Sequence, residues 1–206
     1  TGEAYLFLGS PNLSGTRDVA RGEYDLALLG RDDGDQLGHY LAVGDLDGDH
    51  LDDLIVSAFR GDGPDNQRQD AGEVYVFSGA ALLRGVVDLA AVPPPFTVYG
   101  ARASDELGAA VAAADLNGDG FADLTIGAPR AGGEARPGQV YVFFGGPGLA
   151  GSRDVAQAQQ DVTLQGVDPG DRFGAVLAAA DLDNPKAVWK GRVLPYERYL
   201  LKGVLP

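Results

Sequence analysis

Three related copies of one segment recur along the chain, and this internal repeat constrains the fold more than any other feature of the sequence. The segments read GEAYLFLG from Gly2, GEVYVFSG from Gly72 and GQVYVFFG from Gly138, so their offsets are 70 and 66 residues. Shorter markers keep the same step, because DQLG, DELG and DRFG end at Gly38, Gly108 and Gly174. A period of this length with several matched landmarks predicts a fold built from repeated supersecondary units.

Within each unit the apolar residues follow the two-residue period of a β-strand. In EVYVF, Val74 and Val76 point to one face while Tyr75 and Phe77 point to the other, so both faces are apolar and both must be covered. Segments such as GAAVAAADL contain mostly Ala and Gly, which suits strands packed where space is narrow. Helical periodicity is almost absent, and turn residues recur about every dozen positions. We therefore predict an all-β fold of four-stranded antiparallel blades, a β-propeller with small residues innermost.

Two nine-residue loops concentrate aspartate: DLDGDHLDD spans residues 45–53 and DLNGDGFAD spans residues 115–123. Oxygen-bearing side chains occupy loop positions 1, 3, 5 and 9, and a backbone carbonyl is available at position 7. Such hard oxygen ligands are those that Ca²⁺ prefers. The predicted ligands, for two calcium sites, are Asp45, Asp47, Asp49, Leu51 and Asp53 in the first loop and Asp115, Asn117, Asp119, Phe121 and Asp123 in the second.

Electrostatic repulsion supports this interpretation of the two loops. Two carboxylates about 5 Å apart repel by roughly 3 kcal/mol at an effective dielectric constant near 20, so a loop that gathers several of them needs a cation or must open. Gly120 allows a sharp turn at position 6, and His50, at the same place in the first loop, is a residue type that tolerates positive φ. An Asp- and Gly-rich loop is also an ordinary solvated turn, but two such loops in register with the repeat favour metal binding.

The sequence excludes an EF-hand for these two loops and a calcium site in a third, similar loop. An EF-hand requires a bidentate Glu at position 12, and Val56 and Ile126 stand there, both in predicted strands. A third loop begins DLD at Asp181, but Pro185 and Trp189 replace the later ligands. We therefore expect no third calcium site.

Together these features resemble the FG-GAP repeat of integrin α-subunit propellers and their bacterial relatives. The resemblance rests on Leu37-Gly38, Leu107-Gly108 and Phe173-Gly174, on the acidic loops, and on GAP at residues 127–129, and it covers about residues 1–183. It implies a propeller, usually seven-bladed, on an extracellular or cell-surface protein, with Ca²⁺ in the loops between the first two strands of a repeat. The same modules are similar to parts of secreted hydrolases and lyases, so the fold alone does not define an activity. The preference for Arg over Lys, 13 to 3, favours a bacterial source.

The number of blades raises a question of assembly. The sequence supplies two complete repeats, Gly38 to Gly108 and Gly108 to Gly174, flanked by the last two strands of an earlier unit and the first strand of a later one. That is about three blades, whereas closed propellers have about four to eight. The chain is then either a segment of a longer propeller or a subunit of a homo-oligomer in which several copies complete the ring.

The last 23 residues differ in composition from the rest. Residues 184–206 contain all three lysines and the only Trp, and carry a net charge of +4, whereas residues 1–183 carry −18. We expect a domain boundary here, with residues 1–183 forming the propeller segment and residues 184–206 a basic tail. The tail is either foreign to the repeat or a native strand that pairs with a neighbour.

The overall charge and the remaining motifs limit the function. A net charge of −14 disfavours nucleic acid and anionic lipid as partners, no segment is apolar enough to predict membrane insertion, and no cysteine is present. The tripeptide Arg60-Gly61-Asp62 has the composition of an adhesion ligand but is expected by chance about a quarter of the time in such a chain. GPGLAG at residues 146–151 fits a dinucleotide motif by letters only, since no crossover helix is predicted after it.

These observations predict a non-enzymatic, calcium-binding scaffold for extracellular recognition or adhesion, with an unidentified protein or glycan as its ligand. The alternative is an accessory propeller of a secreted carbohydrate- or lipid-acting enzyme whose catalytic residues lie in another domain. We predict no catalytic residues in this chain, because its aspartates are arranged around a cation and would be held ionised.

Overall fold

The structure, a computed structural model, describes residues 1–11, 13–81 and 84–180. Within these residues the fold is all-β, as predicted, and every helix is a three-residue 3-10 turn; none is long enough to cross a membrane. The third acidic loop and the basic tail, residues 184–206, lie outside the described residues. The 3-10 turns are Val19–Arg21, Pro64–Asn66, Gly79–Ala81 and Val155–Gln157. The strands are β1 (Glu3–Leu6), β2 (Leu26–Leu29), β3 (Leu37–Gly44), β4 (Asp53–Ala58), β5 (Glu73–Phe77), β6 (Gly85–Asp88), β7 (Phe96–Tyr99), β8 (Ala110–Ala114), β9 (Asp123–Ala128), β10 (Gln139–Phe143), β11 (Gly151–Asp154) and β12 (Val162–Gln165).

The strands form three sheets, which we call the first, second and third blades. The first contains β1 and β2, the second β3, β4, β5 and β7, and the third β8, β9, β10 and β12. In the second and third blades the four strands are antiparallel neighbours, from the innermost (β3, β8) to the outermost (β7, β12). The described fold is thus an incomplete propeller. The second and third blades are complete, and the first blade has only its two outer strands.

The predicted first strand of a later unit does not form within Gly174–Ala180, which adopts turns and irregular structure. A strand requires a hydrogen-bonded neighbour, and the next strand of that unit would come after residue 180. The prediction of a strand in this segment was therefore wrong for the described residues.

Two further strands run parallel to their neighbours, which the prediction of purely antiparallel blades did not include. β6 pairs with β2 of the first blade, with Leu26 opposite Gly85. β11 pairs with β7 of the second blade, with Phe96 opposite Gly151. Each of these strands lies in the connection between the third and fourth strands of its own repeat, so that connection crosses to the preceding blade and joins two blades by backbone hydrogen bonds.

The hydrophobic core is divided into two layers, one on each face of the second blade. Tyr75 and Phe77 pack with Leu26 and Leu28 of the first blade. Val74 and Val76 pack instead with residues of the third blade, including Ile126 and Tyr141. The alternation within EVYVF therefore covers both faces of β5 as predicted, and all five of its residues are buried.

Small residues lie where the innermost strands approach each other: β8 reads AVAAA and β3 ends in Gly44, although β3 also contains His39, Tyr40 and Leu41. A Cβ atom placed on Gly44 at the end of β3 would lie 2.8 Å from the Cβ of Ala113 in β8 and 3.1 Å from that of Ala122. Such a separation is too short for two carbon atoms, so a larger residue at this position would push the two blades apart.

An ion pair holds the parallel strand β11 against the second blade. Arg68 donates from both guanidinium nitrogens to the two carboxylate oxygens of Asp154, each at 2.7 Å, and also donates to the carbonyl of Gly100 at 2.8 Å. The Asp154 side chain is 9% exposed and that of Arg68 is 26% exposed, so solvent screens the pair only in part. The hydrogen bond from Arg68 holds the pKa of Asp154 below its ordinary value.

We predict that Asp154→Asn lowers the free energy of unfolding by about 1–3 kcal/mol, because the guanidinium loses its charged partner while the amide still accepts from the Ala156 N–H. The matched control is Asp88→Asn, since Asp88 makes the same cap to the Ala90 N–H in the preceding repeat. Since the folded pKa of Asp154 is lowered, the contribution is present above pH of about 4 and is lost as the pH falls through that lowered value. Chemical denaturation at pH 7 and pH 3 measures the loss of unfolding free energy and its pH dependence. An equal loss for Asp154→Asn and Asp88→Asn at pH 7 would contradict the ion-pair contribution.

A second carboxyl group gives the opposite pH dependence. Asp35 is 4% exposed between the first two blades, and burial, with help from Glu73, raises its pKa to about 7. Because this folded pKa lies above the ordinary value, stability declines as the pH rises from about 4 to 7. We predict that Asp35→Asn raises the melting temperature relative to wild type at pH 8 and changes it little at pH 4. Asp33→Asn, at a side chain that is 99% exposed, should show no such difference in thermal melts at the two pH values.

Candidate calcium loops

The two acidic loops occupy equivalent positions in the second and third blades. The first connects β3 to β4 and the second connects β8 to β9, so each joins the innermost strand of a blade to the next one. Both therefore lie at the same end of neighbouring blades. Eight of the ten predicted ligand residues lie in these two loops, whereas Asp53 and Asp123 are the first residues of β4 and β9.

In the first loop three carboxylates converge. One oxygen each of Asp45, Asp47 and Asp49 lies within 4.8 Å of the other two. The loop's own backbone holds them there, because Asp45 accepts from the N–H of Gly48 at 2.7 Å and from that of His50 at 3.0 Å. The predicted clustering of these three residues is therefore a property of the folded loop.

The remaining two carboxylates of this cluster are oriented by short-range hydrogen bonds. Asp47 Oδ1 accepts from the Asp49 N–H at 3.1 Å, and Asp49 Oδ1 accepts from the Leu51 N–H at 2.8 Å. Each bond uses one oxygen of its carboxylate. The second oxygen of Asp49 accepts no hydrogen bond from the described residues.

The second loop repeats this pattern almost bond for bond. Asp115 accepts from the N–H of Gly118 at 2.7 Å and from that of Gly120 at 2.9 Å, and Asp119 accepts from the Phe121 N–H at 2.9 Å. Asn117 replaces the second carboxylate; its Oδ1 accepts from the Asp119 N–H and its Nδ2 donates to Asp119 Oδ2, both at 2.9 Å. At the four side-chain ligand positions this loop carries one negative charge fewer than the first.

The carboxylates at position 9 are the most buried carboxylates of each loop. Asp53 is 1% exposed and accepts from the N–H groups of Leu46 at 2.9 Å and Gly79 at 3.0 Å. Asp123 is 0% exposed and makes the same two bonds, to Leu116 at 2.8 Å and Gly145 at 3.0 Å. Burial raises the pKa of both groups, and the backbone bonds oppose this rise. These residues tie the start of the loop to the end of the third strand.

The roles of Gly79 and Gly145 could not be inferred from the loops themselves. Each lies at the end of a GxVYVFxG segment, more than twenty residues after the aspartate that it contacts. The repeat shows that these glycines recur. Only the antiparallel pairing of the second and third strands brings them to the position-9 carboxylate.

The turn at position 6 has the geometry expected from the sequence. His50 has φ of 69° and Gly120 has φ of 95°, so the two residues adopt the same left-handed region. Leu51 and Phe121 follow directly, and their backbone carbonyls stay predicted ligands. The Phe121 ring lies against Gly48, where an added Cβ would come within 2.2 Å of it, so the two loops are in contact.

The donor set fits a hard divalent cation. In both loops the backbone N–H groups of a short turn hold the oxygen-bearing side chains in place, all of them carboxylates in the first loop and carboxylates with the Asn117 amide in the second. The EF-hand alternative does not fit, because Val56 and Ile126 are fully buried in β4 and β9. The residues present are therefore chemically suited to Ca²⁺ without a ligand at position 12.

The two weaker motifs have structural roles. Gly61 of the Arg60–Asp62 tripeptide is buried, and an added Cβ would lie 2.6 Å from the Glu73 side chain. Asp62 accepts from the Asp70 N–H at 2.9 Å, so this tripeptide is part of a packed turn and not an extended ligand. GPGLAG leads into β11 at Gly151 and not into a helix, which excludes the dinucleotide-binding arrangement.

Comparison with known proteins agrees with this geometry. The FG-GAP repeat family matches residues 38–77 and 107–143, which begin within three residues of the start of the inner strands and include both acidic loops. The chain is 34% identical over 162 residues to integrin alpha-PS2 of Drosophila melanogaster, covering 76% of this chain and 11% of that protein. It is 36% identical over 136 residues to integrin alpha-5 of Xenopus laevis, covering 63% and 12%.

A relative of another kind is also similar. The chain is 32% identical over 153 residues to human phosphatidylinositol-glycan-specific phospholipase D, covering 72% of this chain and 17% of that protein. The chain therefore spans less than a fifth of the length of each of these three relatives. The repeated blades, the paired acidic loops and the matches in sequence lead to one conclusion: the chain is an integrin-like FG-GAP repeat protein.

Proposed function

We propose that this chain is a calcium-binding β-propeller module that acts in extracellular recognition or adhesion and binds an unidentified protein or glycan. The observation that carries the proposal is the matched pair of acidic loops, in which the same backbone hydrogen bonds hold the same carboxylates in consecutive repeats. The similarity to integrin α-subunits supports recognition as the role and the cell surface or extracellular space as the location.

In this proposal the calcium ions are structural. Each would neutralise a carboxylate cluster and rigidify a loop that joins two strands and contacts the loop of the neighbouring blade. Because Phe121 packs on Gly48, ordering one loop supports the other. The blade ends would then present connecting loops to a ligand from a fixed scaffold.

The similarity to a phospholipase favours a second function, an accessory propeller module of a lipid- or carbohydrate-acting enzyme. In that case the catalytic residues would lie in another domain, and this chain would position the enzyme on its substrate. The full reading frame distinguishes the two: a catalytic domain favours the enzyme, whereas further FG-GAP units with a surface anchor favour adhesion.

Self-association would complete the incomplete ring. No strand among the described residues pairs with the outer edge of β12, although β2 and β7 each receive a parallel strand there. The segment GTRDVA at residues 15–20 matches GSRDVA at residues 151–156, and Asp18 caps the Ala20 N–H as Asp154 caps that of Ala156. We propose that residues 15–18 of a second copy pair with β12 as β11 pairs with β7.

Calcium binding predicts a change in thermal stability. At ten times its dissociation constant, calcium at two sites would add roughly 3 kcal/mol, which raises the melting temperature by about 5–10 °C over that in chelator. Asp49→Asn combined with Asp119→Asn should remove most of this shift, because each amide keeps the Oδ1 acceptor but loses the charge. Asp65→Asn, which removes an exposed charge elsewhere, is the control. Equal melting temperatures in calcium and chelator would overturn the calcium sites.

Self-association predicts a solution mass above that of the 21.4 kDa chain. Light scattering at high protein concentration should give a multiple of this mass; among the described residues, two copies have four full blades and two outer half-blades. Thr16→Pro should shift the protein to one chain, because proline removes a backbone donor from the incoming segment, whereas Thr16→Val should not. A single-chain mass for wild type at all concentrations would contradict the assembly.

A further inference from the structure

The interface between the first and second blades is filled by side chains at a point where the interface between the second and third blades has a cavity. Between the first and second blades, Arg31 reaches Glu73, with Nη1 3.9 Å from Oε2, and Tyr75 donates to the same carboxylate at 2.5 Å. Glu73 and Tyr75 are each 1% exposed. Burial and the nearby Glu73 raise the pKa of Tyr99, so a cation, an anion and two tyrosines lie at this interface.

The repeat places different residues at the equivalent positions between the second and third blades. Counted from the shared landmarks Gly30 and Gly100, Ala101 corresponds to Arg31. Counted in the same way along the third blade, Gln139 corresponds to Glu73 and Gln165 to Tyr99. The guanidinium, the carboxylate and an aromatic ring are therefore lost together, and a cavity of about 550 Å³ stands in this interface.

The walls of this inter-blade cavity are rich in polar side chains. Amide, hydroxyl and charged groups line it, from Arg102, Asp105, Gln139, Gln160, Thr163 and Gln165. Tyr141 also lines it, is 3% exposed, and donates to Gln139 Oε1 at 2.6 Å. Val155 adds an apolar surface. The cavity is in the size range of small-molecule sites, in which a few polar groups orient the ligand.

One buried polar atom in the cavity wall lacks a hydrogen-bond partner. Gln160 donates from Nε2 to Thr163 Oγ1 at 3.0 Å, but its Oε1 is buried and accepts from no group. Leaving such an acceptor unpaired costs about 1–3 kcal/mol, so a donor is expected at this point. A ligand hydroxyl can supply it only after the Gln160 side chain turns toward the cavity, because Oε1 has almost no accessible surface in its present position.

The charges of the cavity favour a neutral ligand. Arg102 and Asp105 are its two charged residues, and Asp105, at 6% exposure, has a pKa raised by burial to about 6. Their opposite charges offset each other, while the amides of Gln139, Gln160 and Gln165 offer both donors and acceptors. Sugar hydroxyls also donate and accept, so each can be matched by an amide of this kind.

We propose that this inter-blade cavity binds a neutral sugar unit. The inference rests on the proposed recognition function, of which it names the ligand class, but it does not require the calcium loops. The cavity is built by the connection after β7, by the ends of β10 and β12, and by the segment after β11, whereas the acidic loops follow β3 and β8.

Titration of the full chain with D-glucose, D-galactose, D-mannose and N-acetyl-D-glucosamine tests the proposal, with calorimetry and NMR of labelled protein as readouts. At least one sugar should bind saturably and shift the signals of Gln160, Thr163 and Gln165. Ala101→Arg should weaken binding at least about tenfold, because it restores the side chain that fills the first interface. Ala103→Arg is the matched control, since Ala103 is exposed two residues away and does not line the cavity.

Gln160→Leu provides a second variant of similar size that removes only the amide, and it too should weaken binding. Absence of saturable binding by all four sugars, or equal binding by wild type and Ala101→Arg, would overturn the proposal. The calcium-dependent shift in melting temperature is measured on the same samples. A protein that keeps this shift is folded and retains its calcium loops, so a failure to bind sugar is then distinguished from a failure of the calcium sites.

Discussion

Packing of one blade against the next is the interaction on which the rest of this structure depends. The central strand β5 is apolar on both faces, so a single repeat cannot bury its own sheet. The first blade covers Tyr75 and Phe77, and the third covers Val74 and Val76. Every other feature, including the acidic loops and the inter-blade cavity, occupies a position that this stacking defines.

Polar links add to this apolar packing at the periphery of the blades. β6 and β11 each leave their own repeat and pair in parallel with the preceding blade, and the Arg68–Asp154 pair holds the second of these in place. At the inner end, Phe121 against Gly48 joins the loops of two blades. The blades are thus connected at both their inner and outer strands, so a cation bound in one loop would stabilise more than its own repeat.

Much of the local structure follows from the sequence pattern. The alternation in EVYVF and QVYVF predicts β5 and β10, and DLIVSA and DLTIGA after the acidic loops predict β4 and β9. The first three aspartates of the first loop converge because their hydrogen-bond partners are two to five residues away. Such short-range contacts can be recognised from spacing alone.

The parts that the sequence did not reveal depend on contacts between distant residues. β6 and β11 read GVVD and GSRD, with no shared apolar alternation, and become strands because the neighbouring blade offers an open edge. Gly79 reaches Asp53 only through the pairing of β4 with β5. The exchange of Arg31 for Ala101 is visible in the sequence, but a cavity follows from it only once two blades face each other at that point.

The sequence by itself determined the repeat, the all-β class and the residues that crowd carboxylates into two loops, since each depends on side-chain period or on spacing of a few residues. Tertiary structure alone decided which blade each connecting strand joins, which carboxylates are buried and where space is left between blades. The physical reason is that hydrogen-bond partners, burial and cavity volume are set by surfaces that come from repeats about seventy residues apart.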